Sequence, residues 1–276
     1  MKWLKKLAIF QILVSFAEQT KVRKHLIFNL VGRDLKNRYV GSLMGFFWSV
    51  IHPVVLLICY TFIFSIIFKV KPFIQATDNF AIFLFCGILP WLFFQETVTR
   101  SCTSITDNSN LIRKSIFPSE ILPLTLLISS LVTHMVGLVI LFIVLLVMGL
   151  FSWTWIFFLV YLVLLIVLLL GVGWLVAALQ VFLRDTLQLV NVFMVMWFWF
   201  TPIFYSMDNE NIPEKMRMLL YLNPLSYVVR GYRSCFLEHR IPDLGEVLIL
   251  AGFAAAAFIL GGLLFRNTKR EFIDVL

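Results

Sequence analysis

Three cations, Arg33, Lys36 and Arg38, stand within the six residues "RDLKNR". Cationic groups spaced so closely can grip phosphate oxygens through charge-assisted hydrogen bonds. The same trio suits a plain anchor at a membrane surface, and the residues alone leave both readings open. A second concentration is aromatic: "MWFWFTPIFY", from Met196 to Tyr205, carries six rings in ten residues. Sugar rings present apolar C–H faces that stack on aromatic rings, so Trp197 and Trp199 could line a path along which a glycan slides. Packing against lipid or core is the competing reading. Other chemistry is thinly represented. No carboxylate pair, metal-ligand spacing or GxxxxGK[ST] phosphate loop occurs. "GVGWLVAALQ", from Gly171, has two glycines of a dinucleotide fingerprint but sits inside an apolar run. Cys59, Cys86, Cys102 and Cys235 form neither a disulfide framework nor a CxxC pair, and read as small packing residues.

The elements that must position these groups are set by composition. Of 276 residues, 61% are hydrophobic and 14% charged, and the mean hydropathy is +0.95. Soluble domains carry about a quarter charged residues. The apolar residues come in blocks of about 20 or more, long enough to cross the hydrocarbon core as helices. The chain therefore reads as an all-α polytopic membrane protein with six spans. They lie between Arg38 and Lys69, from Phe80 toward Arg100, and over Ile121–Leu150, Ile156–Leu183, Leu187–Tyr205 and Val247–Phe265. His52, His134 and Glu96 are the ionisable residues within them, too few for an obvious proton or sodium relay. Both histidines are expected to hydrogen-bond inside the bundle, and Glu96 to reach the interface. Gly41 and Gly45 form a GxxxG pair, suited to close helix approach.

Lys and Arg set the orientation, because cytoplasmic flanks carry the excess. Sixteen fall on the face that holds both termini and seven on the other. The expected topology has both termini cytoplasmic, and the +8 net charge then reports topology; nucleic acid is not an expected partner. "MKWLKKLAIFQILVSF" reads as an amphipathic interfacial helix, with Trp3, Leu4, Leu7 and Phe10 toward acyl chains and Lys2, Lys5 and Lys6 toward headgroups. One domain results: a cytoplasmic interfacial segment (1–40), spans one to five (41–205), an outer segment (206–246), and span six with its tail (247–276).

Two connections carry functional expectations. After span two, "NLIRKSIF" predicts a short helix capped by Asn108 or Ser109 and ended by Pro118. Leu111, Ile112 and Phe117 would lie on one side and Arg113 and Lys114 on another, a pattern suited to docking in a partner's groove. Between Tyr205 and Val247, "IPEKMRMLLYLNP" and "PLSYVVRGYRSCFLEH" predict two short amphipathic helices, too charged to cross.

Four segments in order, "RDLKNRYVGSLMGFFWSVIHPVVLLICYTFIFSIIF", "NLIRKSIFPSEILPL", "FLRDTLQLVNVFMVMWFWFTPIFY" and "LNPLSYVVRGYRSCFLEH", resemble the permease subunit of type-2 ABC exporters for polysaccharides of the O-antigen and teichoic-acid kind. The resemblance covers nearly the whole chain. It implies a homodimer of six-helix subunits in the bacterial inner membrane, working with two copies of a separate ATPase that binds ATP and Mg. No cofactor is implied on this chain. It implies that the loop helix, with Asn110, Leu111, Ile112, Arg113, Lys114 and Phe117, is the ATPase-coupling helix. Arg33, Lys36 and Arg38 become the entrance for a lipid-linked pyrophosphate, and Trp48, Tyr60, Trp91, Trp197 and Trp199 the glycan path. The two short helices resemble the family's re-entrant outer pair, with Tyr227, Arg230 and Arg233 closing the exit. The substrate implied is a glycan on a polyprenyl-pyrophosphate lipid. A permease for teichoic acid, another lipid or a drug is an alternative, as is a polytopic membrane enzyme of glycan assembly.

Overall fold

A computed structural model describes residues 23–38, 40–69, 79–114, 117–207 and 212–276, with the Lys114 side chain outside the described set. The expected N-terminal interfacial helix, with Trp3, Leu4, Leu7 and Phe10, falls outside the described residues. Within them the elements are helical. They are α1 (Lys24–Asn37), α2 (Trp48–Tyr60), α3 (Phe80–Thr103), α4 (Ser109–Lys114), α5 (Ile121–Val147), α6 (Phe158–Phe182), α7 (Thr186–Phe200), α8 (Glu214–Tyr221), α9 (Pro224–Phe236), α10 (Leu244–Thr268) and α11 (Phe272–Val275). Helix is the expected outcome, since each backbone amide in lipid must be satisfied within its own segment.

Among the described residues, five runs are long and apolar enough to cross a membrane: Gly45–Ile67, Phe80–Thr103, Ile121–Val147, Trp153–Phe182 and Leu244–Thr268. They match five of the six expected spans. The remaining one, α7, is helical for 15 residues, roughly 22 Å at 1.5 Å per residue and short of the ~30 Å core. Its apolar run ends early because Thr201 precedes Pro202, and the residue before proline is pushed to extended backbone. Thr201 has φ −93° and ψ 133°.

The bundle has two chemically different ends. At one, Asn79, Ser152 and Asp243 accept hydrogen bonds from backbone N–H groups just inside the helices they begin. These side chains satisfy donors that a helix start leaves open. Deeper, beside Trp197, Asn223 begins α9 and accepts from the Leu225 N–H, with Pro224 at the first turn. The other end gathers α1, the end of α3, α4, the start of α5 and the tail. Arg33 reaches Asn108, Arg100 reaches Asp34, and Lys269 reaches Glu120. Arg33, Arg100 and Lys269, three of the residues whose positive charge set the expected orientation, thus share one end.

The core sits around α3. Its most apolar stretch is 83% buried, while that of the first span is 6% buried. The tightest contact is between α6 and α10. A Cβ on Gly261 would lie 1.9 Å from the Gly171 carbonyl oxygen, so glycine at both positions lets the backbones meet. By contrast, Gly41 and Gly45 lie in the linker before α2, with nothing near a would-be Cβ and φ of +79° and +50°. Their use is backbone conformation, and the expected close helix approach does not occur there.

Candidate functional site

The basic step divides. Arg33 and Lys36 are exposed, and Arg33 Nη2 donates to Asn108 Oδ1 at 3.5 Å. Arg38, half-buried, turns inward. Its Nη1 lies 2.6 Å from Glu96 Oε1 and its Nε 3.3 Å from Asp34 Oδ2. It also donates to Thr133 and Ser130 at 3.1 and 3.2 Å. Asp34 in turn accepts from Arg100 at 2.5 Å and from the Ser129 hydroxyl. Arg100 Nη1 stands 3.7 Å from Glu96. Two carboxylates and two guanidiniums from α1 and α3 are thus joined beside three hydroxyls of α5. Sequence reasoning grouped Arg38 with Arg33 and Lys36 as an anchor or phosphate entrance, missed Asp34 and Arg100, and read Glu96 as a lone group. The signal was present: Asp34 and Arg38, like Glu96 and Arg100, are four residues apart with the acid first, neighbours on a helix face.

Two cavities adjoin this cluster, and Arg100 lines both. One, of about 250 Å³, is polar and lies under α1 against Arg33, Asp34, Asn37, Thr103 and Asn108. The other, of about 440 Å³, runs between α2, α3 and α5 past His52, Gln95, Glu96 and His134. His134 is buried, its Nε2 3.1 Å from the Tyr232 hydroxyl and its ring stacked on Phe93, the bundle-internal hydrogen bond expected for it. His52 is exposed on the cavity wall.

The loop helix forms where expected, with the N–H groups of Leu111 and Ile112 bonded to the Asn108 carbonyl. Its apolar residues do not project as knobs. Ile112 is 5% exposed and belongs to the core, and Leu111 and Phe117 are half-buried. Large apolar groups beyond the bilayer lower their free energy by closing the end of the bundle. Among the described residues of α4, Asn110 and Arg113 are exposed.

The aromatic residues do not gather on one surface. Trp91 is 2% exposed, donates to Gln95 Oε1 at 3.0 Å and packs on Phe94 and Phe198. Trp197 donates to Asn223 Oδ1 at 2.9 Å and stacks edge-on with Phe94. Trp199 is 64% exposed and lies flat on Phe204. Both of these tryptophans stand in the last turn of α7, not at mid-helix. Trp48 is exposed, its indole bonded to Ser42. Tyr60 is half-buried against Phe64.

At the opposite end Tyr227 is buried and its hydroxyl donates to the Tyr221 carbonyl at 2.8 Å, while Arg230 pairs with Glu246 at 2.9 Å. Arg233 is 4% exposed. It donates to the carbonyls of Phe83, Pro202, Ile203 and Tyr205 at 3.2, 2.7, 2.5 and 3.1 Å. Its guanidinium carbon lies 3.5 Å from the Phe83 ring centre. The three carbonyls after α7 thus receive an arginine where a further helical turn would have supplied amides. Tyr227 and Arg233 are packed into the bundle here.

The described residues form a membrane bundle with a short loop helix between its second and third long helices, a first span almost unburied and a pair of short helices before the last. Residues 25–237 match the family model described as ABC-2 type transporter. The chain belongs to the ABC-2 type transporter family. Its relatives in that family include the O-antigen export system permease protein RfbA of Myxococcus xanthus, 28% identical over 250 residues that cover 90% of this chain and 94% of that protein. A protein of the same description from Klebsiella pneumoniae is 28% identical over 254 residues, covering 91% and 95%. As an ABC-2 membrane subunit the chain is a transport component. The match spans both ends described above, from α1 to the end of α9, so the ion cluster and the Arg233 site lie within the family's common region.

Proposed function

We propose that this chain is the membrane-spanning permease of an ATP-driven exporter that moves a lipid-linked, O-antigen-like polysaccharide across the bacterial inner membrane. The observation that carries this reading is near-full-length similarity to O-antigen export permeases. In this reading α7 and the turn at 201–205 complete a sixth crossing, and both termini are cytoplasmic. The basic end faces two copies of a separate ATPase, which hold the ATP and Mg. Docking falls to the loop helix through Asn110 and Arg113, with Leu111, Ile112 and Phe117 as its footing; Lys114 shares that helix. Two copies of the chain share the path, because the apolar surfaces of the first span and of α7 are largely uncovered by their own bundle. Arg33 and Lys36 are the cations left outward to meet a pyrophosphate head, and Trp48 and Trp199 the rings left outward toward a glycan. The outer pair α8 and α9 closes the exit.

The test is deletion of the chain in its host, with complementation. Loss of surface polysaccharide, with lipid-linked polymer accumulating on the inner leaflet, is expected. Normal surface polysaccharide with a changed drug or lipid efflux would overturn the glycan reading and leave the family assignment standing.

A further inference from the structure

The ion cluster has two complete pairing schemes. In the first, Arg38 of the α1 end holds Glu96 of α3 at 2.6 Å, and Arg100 of α3 holds Asp34 of α1 at 2.5 Å. Both bonds cross between helices. In the second, Arg38 holds Asp34 and Arg100 holds Glu96, each four residues along its own helix, and these contacts already stand at 3.3 and 3.7 Å. In each helix the acid precedes the base, the favourable order for such a pair. Separating half-buried charges is normally opposed because a partner is left uncompensated. Here separation of α1 from α3 strands nothing: each carboxylate keeps a guanidinium. The hydroxyls of Ser129, Ser130 and Thr133, which complete the cluster from α5, can likewise turn to carbonyls of their own helix.

The surroundings fit a part that lifts. Beneath α1 lies the 250 Å³ polar cavity, walled by Asp34 and Arg100 themselves. Beyond Arg38 the chain enters a linker with Gly41 and Gly45 at positive φ, a conformation open to glycine at little cost. α1 packs along α5 and buries Ile27, Leu30 and Val31; α3, to which the charges tie it, is the most buried of the five long apolar runs.

We propose that α1 is a hinged strap, held to α3 by a four-charge clasp whose members can re-pair within their own helices, so that the strap lifts and uncovers the polar cavity. The proposal is independent of what the protein exports.

Hydrogen–deuterium exchange on the purified full-length protein in lipid nanodiscs tests it. Exchanging the charges of the strap, Asp34→Arg with Arg38→Asp, keeps its internal pair and sets like charges against α3. Exchanging those of the body, Glu96→Arg with Arg100→Glu, does the same from the other side. All four changes together restore opposite charges across the gap. Each two-residue exchange is expected to speed amide exchange over residues 24–38 by about tenfold or more, with α3 and α6 unchanged. The four-residue variant should return it to near the native rate. Native rates in both two-residue variants would overturn the clasp. So would a folded four-residue variant that stays fast, since re-pairing would then not be what holds the strap. Should the exchanges loosen the whole chain, Arg38→Gln decides: a rise confined to 24–38 supports the clasp, and no rise overturns it.

Discussion

Arg233 and Arg38 are both withdrawn from solvent, yet they are held in opposite ways. Arg233 is satisfied by backbone carbonyls and an aromatic face. Arg38 is satisfied by side chains on three helices. A carbonyl cannot leave its chain, so Arg233 fixes the turn after α7 in one shape. Carboxylates and hydroxyls can change partners, so the cluster around Arg38 permits a second arrangement. One end of the bundle is built to stay and the other to move.

The largest effect should come from breaking the fixed end. Arg233→Met leaves four carbonyls without their donor in a dry site. Each orphaned group costs about 1–3 kcal/mol, and a loss of about 4 kcal/mol or more is expected, seen as a collapse in the yield of folded protein and its thermal midpoint. Arg233→Lys should recover only part, because an ammonium cannot reproduce the guanidinium fork. A lysine variant as stable as the native protein would show that charge alone matters there.

Next is Ile112→Asp at the other end. It places a carboxylate in the core footing of the loop helix and should destabilise by about 3 kcal/mol. A native unfolding profile would mean that the loop helix detaches freely.

Asp34→Asn should be milder, about 1–2 kcal/mol, because Glu96 remains to share both guanidiniums and the group is partly wet. If it matched the Arg233→Met loss, the contrast between the two ends would fail.

Smallest for stability is Arg113→Glu, on an exposed face, expected within about 0.5 kcal/mol of native. Its effect should appear instead as loss of the ATPase from the purified complex. Retention of the ATPase at native affinity would remove Arg113 from the docking surface.

Helices and their order were legible in the sequence because hydrophobic block length is set by bilayer thickness. The end that carries the cations was legible because charge avoids lipid. Side-chain facing was not. "NLIRKSIF" shows four apolar residues outside the spans, and nothing in the string says whether they meet a partner or the protein's own bundle; Ile112 meets the bundle. Arg233 read as a gate cation because its acceptors are carbonyls, which every residue has and no sequence distinguishes. The aromatic run was legible as chemistry, but Trp91 and Trp199 differ only in which neighbours surround them. The shortened α7 was foreshadowed by Thr-Pro, a local rule that the length of the apolar run obscured.

The glycine contact between α6 and α10 also bears on how the chain is made. α10 lies far along the sequence from α6, so its bare-backbone partner surface at Gly171 waits in the membrane while α7, α8 and α9 are synthesised and inserted. During that interval the groove can be occupied only by lipid or by an insertion chaperone. The last long helix is then the piece that displaces the temporary occupant and completes the bundle, and quality control that monitors that groove would recognise every chain not yet finished.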